Sequence, residues 1–152
     1  MASNVSSICL MKNETGGTLT FVECRTINGR IGPISYPQKI SSGQWAMFVH
    51  TGDFEARSKS MGAVIYHCTN PDGEECDWMM SWLNTYGEPL KVYTEIMEKG
   101  HFKRNVWKDI ERRLKRGTNF SEEEWEDFTA IVEEVPNDDC DVFAIFRGII
   151  TN

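Results

Sequence analysis

Turn-forming clusters recur at close intervals through the first two-thirds of the chain, and this constrains the fold more than any other feature. Asn13-Glu14-Thr15-Gly16-Gly17, Asn28-Gly29-Arg30-Ile31-Gly32-Pro33 and Asn70-Pro71-Asp72-Gly73 each combine residues that reverse a chain. Short β-prone runs lie between them: Ile8 to Lys12, Thr18 to Cys24, Gln44 to His50, Ala63 to Cys68, Asp77 to Leu83 and Leu90 to Ile96. Tyr36-Pro37 reads as a strand start or edge, because Pro cannot donate to a ladder. Short strands between frequent turns predict a mainly β protein, a sandwich or barrel.

The pattern changes near residue 100. Phe102, Val106, Trp107, Ile110 and Leu114 fall at helical spacing, and Gly117 is a natural stop, which predicts a helix over 102–116. Ser121 with Glu124 has the form of a capping box and predicts a second short helix, with Trp125 and Phe128 facing inward. Pro136-Asn137-Asp138-Asp139 reads as a turn, and the apolar run Asp141 to Ile150 as a buried closing strand. No repeat or linker interrupts the chain. Residues 1–7 read as a flexible tail and 8–152 as one domain, a length that buries a core without staples.

Charge excludes several functions. The chain carries 16 basic and 23 acidic residues, a net charge of −7, which argues against nucleic acid as a partner. No apolar run reaches the ~20 residues of a transmembrane helix. The start, Met1-Ala2-Ser3-Asn4, has neither the basic region and apolar run of a signal peptide nor the second-position Gly of a myristoylation site. A location in the cytosol or nucleus is expected. The five cysteines, Cys9, Cys24, Cys68, Cys76 and Cys140, are an odd number with no CxxC pair, so reduced thiols are expected there, although Cys68 and Cys76 bracket a turn.

Catalytic and metal patterns are missing. His50, His67 and His101 form no ligand spacing, and no nucleophile elbow or phosphate loop occurs, so no enzyme activity, metal or cofactor is expected. The aromatic residues are more informative. Strand alternation puts Trp78, Met80 and Trp82 on one face and Met79, Ser81 and Leu83 on the other. One face belongs to the core, and the other is expected to present Ser81 to solvent beside the polar loop that carries Tyr86. Eight basic and two acidic residues between Lys99 and Arg116 give that segment a balance of +6, suited either to an anionic lipid surface or to the solvated back of a packed helix.

Seven fragments in order resemble the jasmonate-induced protein family of plants. They are Asn13-Glu14-Thr15-Gly16 with Thr18-Leu19, Gly29-Arg30-Ile31-Gly32, Tyr36-Pro37-Gln38-Lys39-Ile40, Gly43-Gln44-Trp45 with Phe48 and His50, Ala63-Val64-Ile65-Tyr66, Cys76 to Trp82, and Lys91 to Ile96. The resemblance implies a protein made in response to jasmonate or stress, without established enzymatic activity. A more distant likeness is to the actinoporin-like β-sandwich of sea-anemone cytolysins and fungal fruit-body lectins. It rests on Pro37, Ile40 and Gly43, on Gly62, Val64 and Tyr66, on Ser81 after Trp78, on Lys91-Val92-Tyr93, and on a helix followed by a closing strand. In that group a serine like Ser81 and aromatics of the helix hold phosphocholine. Trp107 matches one such aromatic, whereas Glu111 and Arg112 stand at two others. The pore-making helix of that group has no counterpart in the seven residues before the first expected strand.

Together these observations predict an actinoporin-like β-sandwich with one or two short helices in its last third. The expected function is non-catalytic binding of a glycan or a phospholipid head group in plant defence, with cytolysin-like pore formation as the alternative. The expected ligand site is formed by Ser81, Tyr86, Trp107 and Arg112. A homo-oligomer is compatible with the sequence.

Overall fold

The computed structural model describes residues 4–139 and 141–152, so Cys140 lies outside the described residues. Eleven strands are present among them. The first eight are β1 (Ser6–Glu14), β2 (Thr18–Asn28), β3 (Arg30–Ile31), β4 (Lys39–Ile40), β5 (Trp45–Thr51), β6 (Lys59–Thr69), β7 (Glu75–Thr85) and β8 (Lys91–Met97). A 3-10 turn (His101–Lys103) and the helix α1 (Trp107–Lys115) follow, then β9 (Phe120–Trp125), β10 (Phe128–Val135) and β11 (Phe143–Thr151). The strands form a six-stranded sheet, in the order β3-β5-β1-β11-β10-β9, and a five-stranded sheet, in the order β4-β2-β6-β7-β8. This is the expected β-sandwich.

β1 and β11 alternate strictly between buried and half-buried residues, as strands covered on one side must. β6 and β7 are instead buried almost throughout, because both of their faces are covered. Inward side chains of the two sheets meet in a core where the Trp82 ring stacks on Phe146 at 5.7 Å and tilts against Phe48 at 5.2 Å. Gly148 also points inward, where Met80 and Trp78 leave no room for a Cβ. A second, smaller core lies outside the five-stranded sheet. There Ala63, Ile65 and Met79 pack under Phe102 and Ile110 of the helical segment.

Four expectations change. The helical periodicity from 102 to 116 is divided between the 3-10 turn and α1 rather than running continuously. The second helix does not form: Phe120–Trp125 is a strand paired with β10, and the chain reverses through Glu126 at φ 51°. The Ser121 hydroxyl does not cap a helix but accepts the Thr94 backbone N–H at 3.1 Å. β9 alternates exposed and half-buried residues, so pairing and burial override the local capping signal. Ser81 does not reach solvent, because α1 covers the face of β7 opposite Trp78, Met80 and Trp82. At the other end of the chain, Val5 is buried and donates its N–H to Ser58 Oγ at 3.1 Å, so the fold begins two residues ahead of the expected Ile8.

A polar knot lies within the core. Ser60 Oγ accepts hydrogen bonds from Ser7 Oγ at 2.7 Å and from Trp82 Nε1 at 3.2 Å. His50 Nδ1 lies 2.7 Å from the same Oγ, and its Nε2 is buried without a partner among the described residues. Burial lowers the His50 pKa from 6.5 to about 4. The unfolded chain thus takes up a proton that the native state refuses between those two values, and stability falls with falling pH across that window. The expected loss reaches about 3 kcal/mol near pH 4. Urea unfolding at a series of pH values checks it: His50→Leu should lose this part of the pH slope, whatever its stability at neutral pH.

Candidate functional site

One row of paired residues sets the floor of the candidate site. Arg25 of β2, Ala63 of β6, Ser81 of β7 and Tyr93 of β8 are successive ladder partners, so their side chains share the outer face of the five-stranded sheet. Bulges in β2 between Phe21 and Glu23 and between Thr26 and Asn28 set which of its residues face outward. α1 lies over this face with Ile110 and Leu114 pressed inward. With nine residues, the helix covers only part of the sheet.

A groove remains between the helix and strands β2, β6 and β7. At one end, a cavity of about 70 Å³ is lined by Arg25, Ala63, Ser81 and Trp107. Glu111 borders it and also borders an open cleft of about 580 Å³ that continues past Lys59, Leu83 and Lys115 to the β5–β6 loop. Four bases (Arg25, Arg57, Lys59, Lys115) and four acids (Asp53, Glu55, Glu88, Glu111) line the two parts, so the groove is zwitterionic in a chain of net charge −7.

The inner end is the more constrained. The Arg25 guanidinium lies 4.4 Å from the centroid of the Trp107 ring, a stacking geometry that holds the cation against an aromatic face. The Trp107 Nε1–H is buried and has no acceptor among the described residues. An indole nitrogen can only donate, so its hydrogen-bonding capacity is unmet. Ser81 is 1% exposed, and its hydroxyl donates to the Tyr93 carbonyl at 2.7 Å. At the outer end, Lys115 pairs with Glu111 at 3.0 Å and Arg57 with Glu88 at 2.8 Å. Asp53 organises the β5–β6 loop. Desolvation opposes its ionisation, but the Lys59 N–H, Asn28 Nδ2 and the Glu55 N–H together hold the carboxyl below its ordinary pKa.

The four residues expected at the site are separated. Ser81 and Trp107 line the same cavity. Tyr86 stands beyond the groove on the β7–β8 loop, where its N–H donates to the Ser58 carbonyl at 2.9 Å and its side chain is 43% exposed. Arg112 is on the solvent side of α1, paired with Asp109. Most of the helix charge is likewise answered locally: Arg113 meets Asp109 at 2.9 Å, and Arg104 lies 3.6 Å from Glu98. Sequence reasoning missed Arg25, whose partner Trp107 is far along the chain, and Glu111, which it took only as a departure from an aromatic position.

A second cleft, of about 440 Å³, lies across the helix between β8 and β9. It is more acidic, and its Tyr93 hydroxyl is already committed to Glu95 at 2.7 Å. Burial and the neighbouring Glu95 raise the pKa of Glu123 there. Among the described residues, no group of three or more His, Cys, Asp or Glu side chains is arranged to hold a metal ion. No helix among them is long and apolar enough to cross a membrane.

A double-sheet sandwich with a helix laid over part of one sheet, and a polar groove beside that helix, defines the architecture of this chain. The chain belongs to the Nakanori-like protein family, whose model matches residues 2–146. A 23 kDa jasmonate-induced protein of Hordeum vulgare is 41% identical over 95 residues, which cover 62% of this chain and 45% of that protein. A jasmonate-induced protein homolog of Atriplex canescens is 32% identical over 124 residues, 77% of this chain and 66% of that protein. The chain thus matches less than half of the first relative and just under two-thirds of the second. These relatives bear out the resemblance seen in the sequence. The crystal structure of the lipid binding protein Nakanori superposes with a TM-score of 0.83 at 22% identity, covering 100% of this chain and 73% of that one, a likeness that shows the fold.

The geometry at Ser81 yields a measurable expectation. Ser81→Ala leaves the Tyr93 carbonyl without this donor and should cost about 1 kcal/mol of stability. Thermal and urea denaturation of the variant checks this.

Proposed function

We propose that the chain is a non-catalytic lipid-binding protein of the plant jasmonate and stress response, and that it takes a zwitterionic, phosphate-bearing lipid head group into the groove along α1. The observation that carries this reading is the unmet, buried Trp107 N–H beside the stacked Arg25 guanidinium. Two fixed donors at the closed end of a groove suit a phosphate oxygen, which can accept from both. The carboxylates of Glu111, Asp53 and Glu88 farther out suit the ammonium group of the same head group. An unsatisfied donor costs free energy unless something accepts its hydrogen bond, so the bound state gains what the free state lacks.

The loops at the open end favour a lipid over a sugar. Phe54 is 77% exposed on the β5–β6 loop, with the Arg30 guanidinium 5.7 Å from its ring centroid, and Tyr86 is 43% exposed on the β7–β8 loop. Aromatic rings with adjacent cations suit the boundary between head groups and acyl chains. The structural neighbour Nakanori is described as a lipid binding protein, which agrees with this reading. Tyr86 would act here as an interfacial anchor and Ser81 as a support for the groove floor.

Co-sedimentation with vesicles of zwitterionic and of anionic phospholipids, run beside a glycan array, tests the proposal. Binding to zwitterionic vesicles is expected. Trp107→Phe keeps the ring but removes the N–H and should weaken binding about ten-fold, as loss of a hydrogen bond to a charged group predicts. Phe54→Ser should weaken it without changing the folded spectrum. Glycan binding in the absence of vesicle binding would overturn the proposal, and dye leakage from the vesicles would reveal the pore-forming alternative.

A further inference from the structure

The two sides of the sandwich differ in charge. α1 and the segment before it lie on the five-stranded sheet, whereas no helix covers the six-stranded one among the described residues. Ladder register fixes the charges on the outer face of the five-stranded sheet. Four bases (Arg25, Lys39, Lys59, Lys91) cancel four acids (Glu23, Glu75, Asp77, Glu95). The segment from Glu98 to Arg116 adds eight bases and three acids. This side thus carries twelve bases and seven acids, and the rest of the chain only four bases with sixteen acids. The acids of the two clefts bound the basic area, Glu123 and Glu124 on one flank and Asp53, Glu55 and Glu88 on the other.

Exposure sharpens the contrast. Of the nine exposed residues between 98 and 116, eight are Lys or Arg and the ninth is Asn105, while Glu98, Asp109 and Glu111 are half-buried. Ion pairs answer some of these bases: Arg104 meets Glu98, Arg112 and Arg113 meet Asp109, and Lys115 meets Glu111. Lys103, Lys108 and Arg116 have no acidic partner among the described residues, and Lys99 reaches only Glu75, at 3.9 Å. The helix dipole favours the bases of the last turn, but it opposes Lys108 in the first turn and the nearby Lys103 and Arg104. Local electrostatics therefore disfavours the cations at that end of the ridge.

We propose that this basic ridge is a docking surface for anionic phospholipid, which it meets beside the head group held in the groove. Charge complementarity selects an anionic partner. The groove selects a bilayer over other polyanions, because it opens on the same side of the sheet, bordered by Glu111 and Lys115, with Phe54 and Tyr86 at its outer end. This choice of lipid rests on the reading of the groove given above. The net charge of −7 does not prevent docking. The second sheet lies about 10 Å farther from the membrane, beyond the screening length of about 8 Å, so its acids are felt weakly. An approach by any other side would put those acids first, so the charge pattern also orients the protein helix-first.

Co-sedimentation of the full chain with two kinds of vesicle, across a salt series, tests this. One kind is phosphatidylcholine alone, and the other contains about one-fifth phosphatidylserine. The serine lipid should raise affinity at least ten-fold at low salt, and added salt should remove the gain. Lys103→Gln, Lys108→Gln and Arg116→Gln together should abolish most of it, at about five-fold per charge, with circular dichroism and binding to phosphatidylcholine unchanged. Lys12→Gln with Arg147→Gln, on the other sheet, should leave the gain intact. Trp107→Phe should weaken binding to both kinds of vesicle and keep the gain. Wild type that binds only the serine vesicles, through the three bases, would sink the groove reading and uphold the ridge. No gain from phosphatidylserine would overturn the proposal, as would a gain that the folded triple variant keeps. Tighter binding to duplex DNA than to these vesicles would also overturn it and assign the ridge to nucleic acid.

Discussion

The parallel pairing of β1 with β11 holds the remaining structure together. Nine residue pairs, from Ser6–Phe143 to Glu14–Thr151, join the two ends of the chain in the middle of the six-stranded sheet. Parallel neighbours cannot be joined by a tight turn, so the whole chain between them forms the crossover. It aligns Cys9 with Phe146 and Met11 with Gly148 on the inner side and brings Phe146 against Trp82 and Phe48 of the core. It also brings Ile8, Leu10, Ile145 and Ile149 side by side on the outer side. The same backbone pairing thus builds the core and part of the sheet's outer face.

The other sheet is only partly covered on its outer face. α1 buries Ile110 and Leu114 against β6, β7 and β8, and leaves Trp107 at the boundary between packed and open surface. A ring in that position can be held by its apolar neighbours and still turn a polar edge toward a ligand. The bulges in β2 then place Arg25 over that ring. The two sides of the helical charge pattern also diverge: Asp109 pairs with Arg112 and Arg113 on the side toward the cleft at β8 and β9, while Glu111 and Lys115 face the groove.

Much of this was legible in the residues. The turn clusters at 13–17 and 70–73 mark real reversals; four of the six early β-prone runs lie within longer strands, and the runs from Gln44 and Leu90 each match a strand shifted by one residue. The Phe102 to Leu114 periodicity marks the one helical region, and the closing strand falls where the apolar run ends the chain. Ser121 misled because a capping box is a local signal, and its hydroxyl found the Thr94 N–H of another strand first. Of the four residues expected together, Ser81 and Trp107 line one cavity while Tyr86 and Arg112 lie away from it, because strand alternation and topology do not fix which side of a helix or loop faces a groove.

The sequence by itself determined the β-sandwich class, the helical insert and the family, because turn chemistry, period-2 alternation and helical spacing are local properties that survive without tertiary context. Only the tertiary structure decided that Ser81 is covered rather than exposed, that Arg25 stacks on Trp107, and that one sheet face is left bare. Each of these depends on which distant strands pair and in what register. Side-chain period is two, so a shift of one residue exchanges the buried and exposed faces of a strand. That register is set by the whole ladder from β3 to β9 and from β4 to β8, and no single segment contains it.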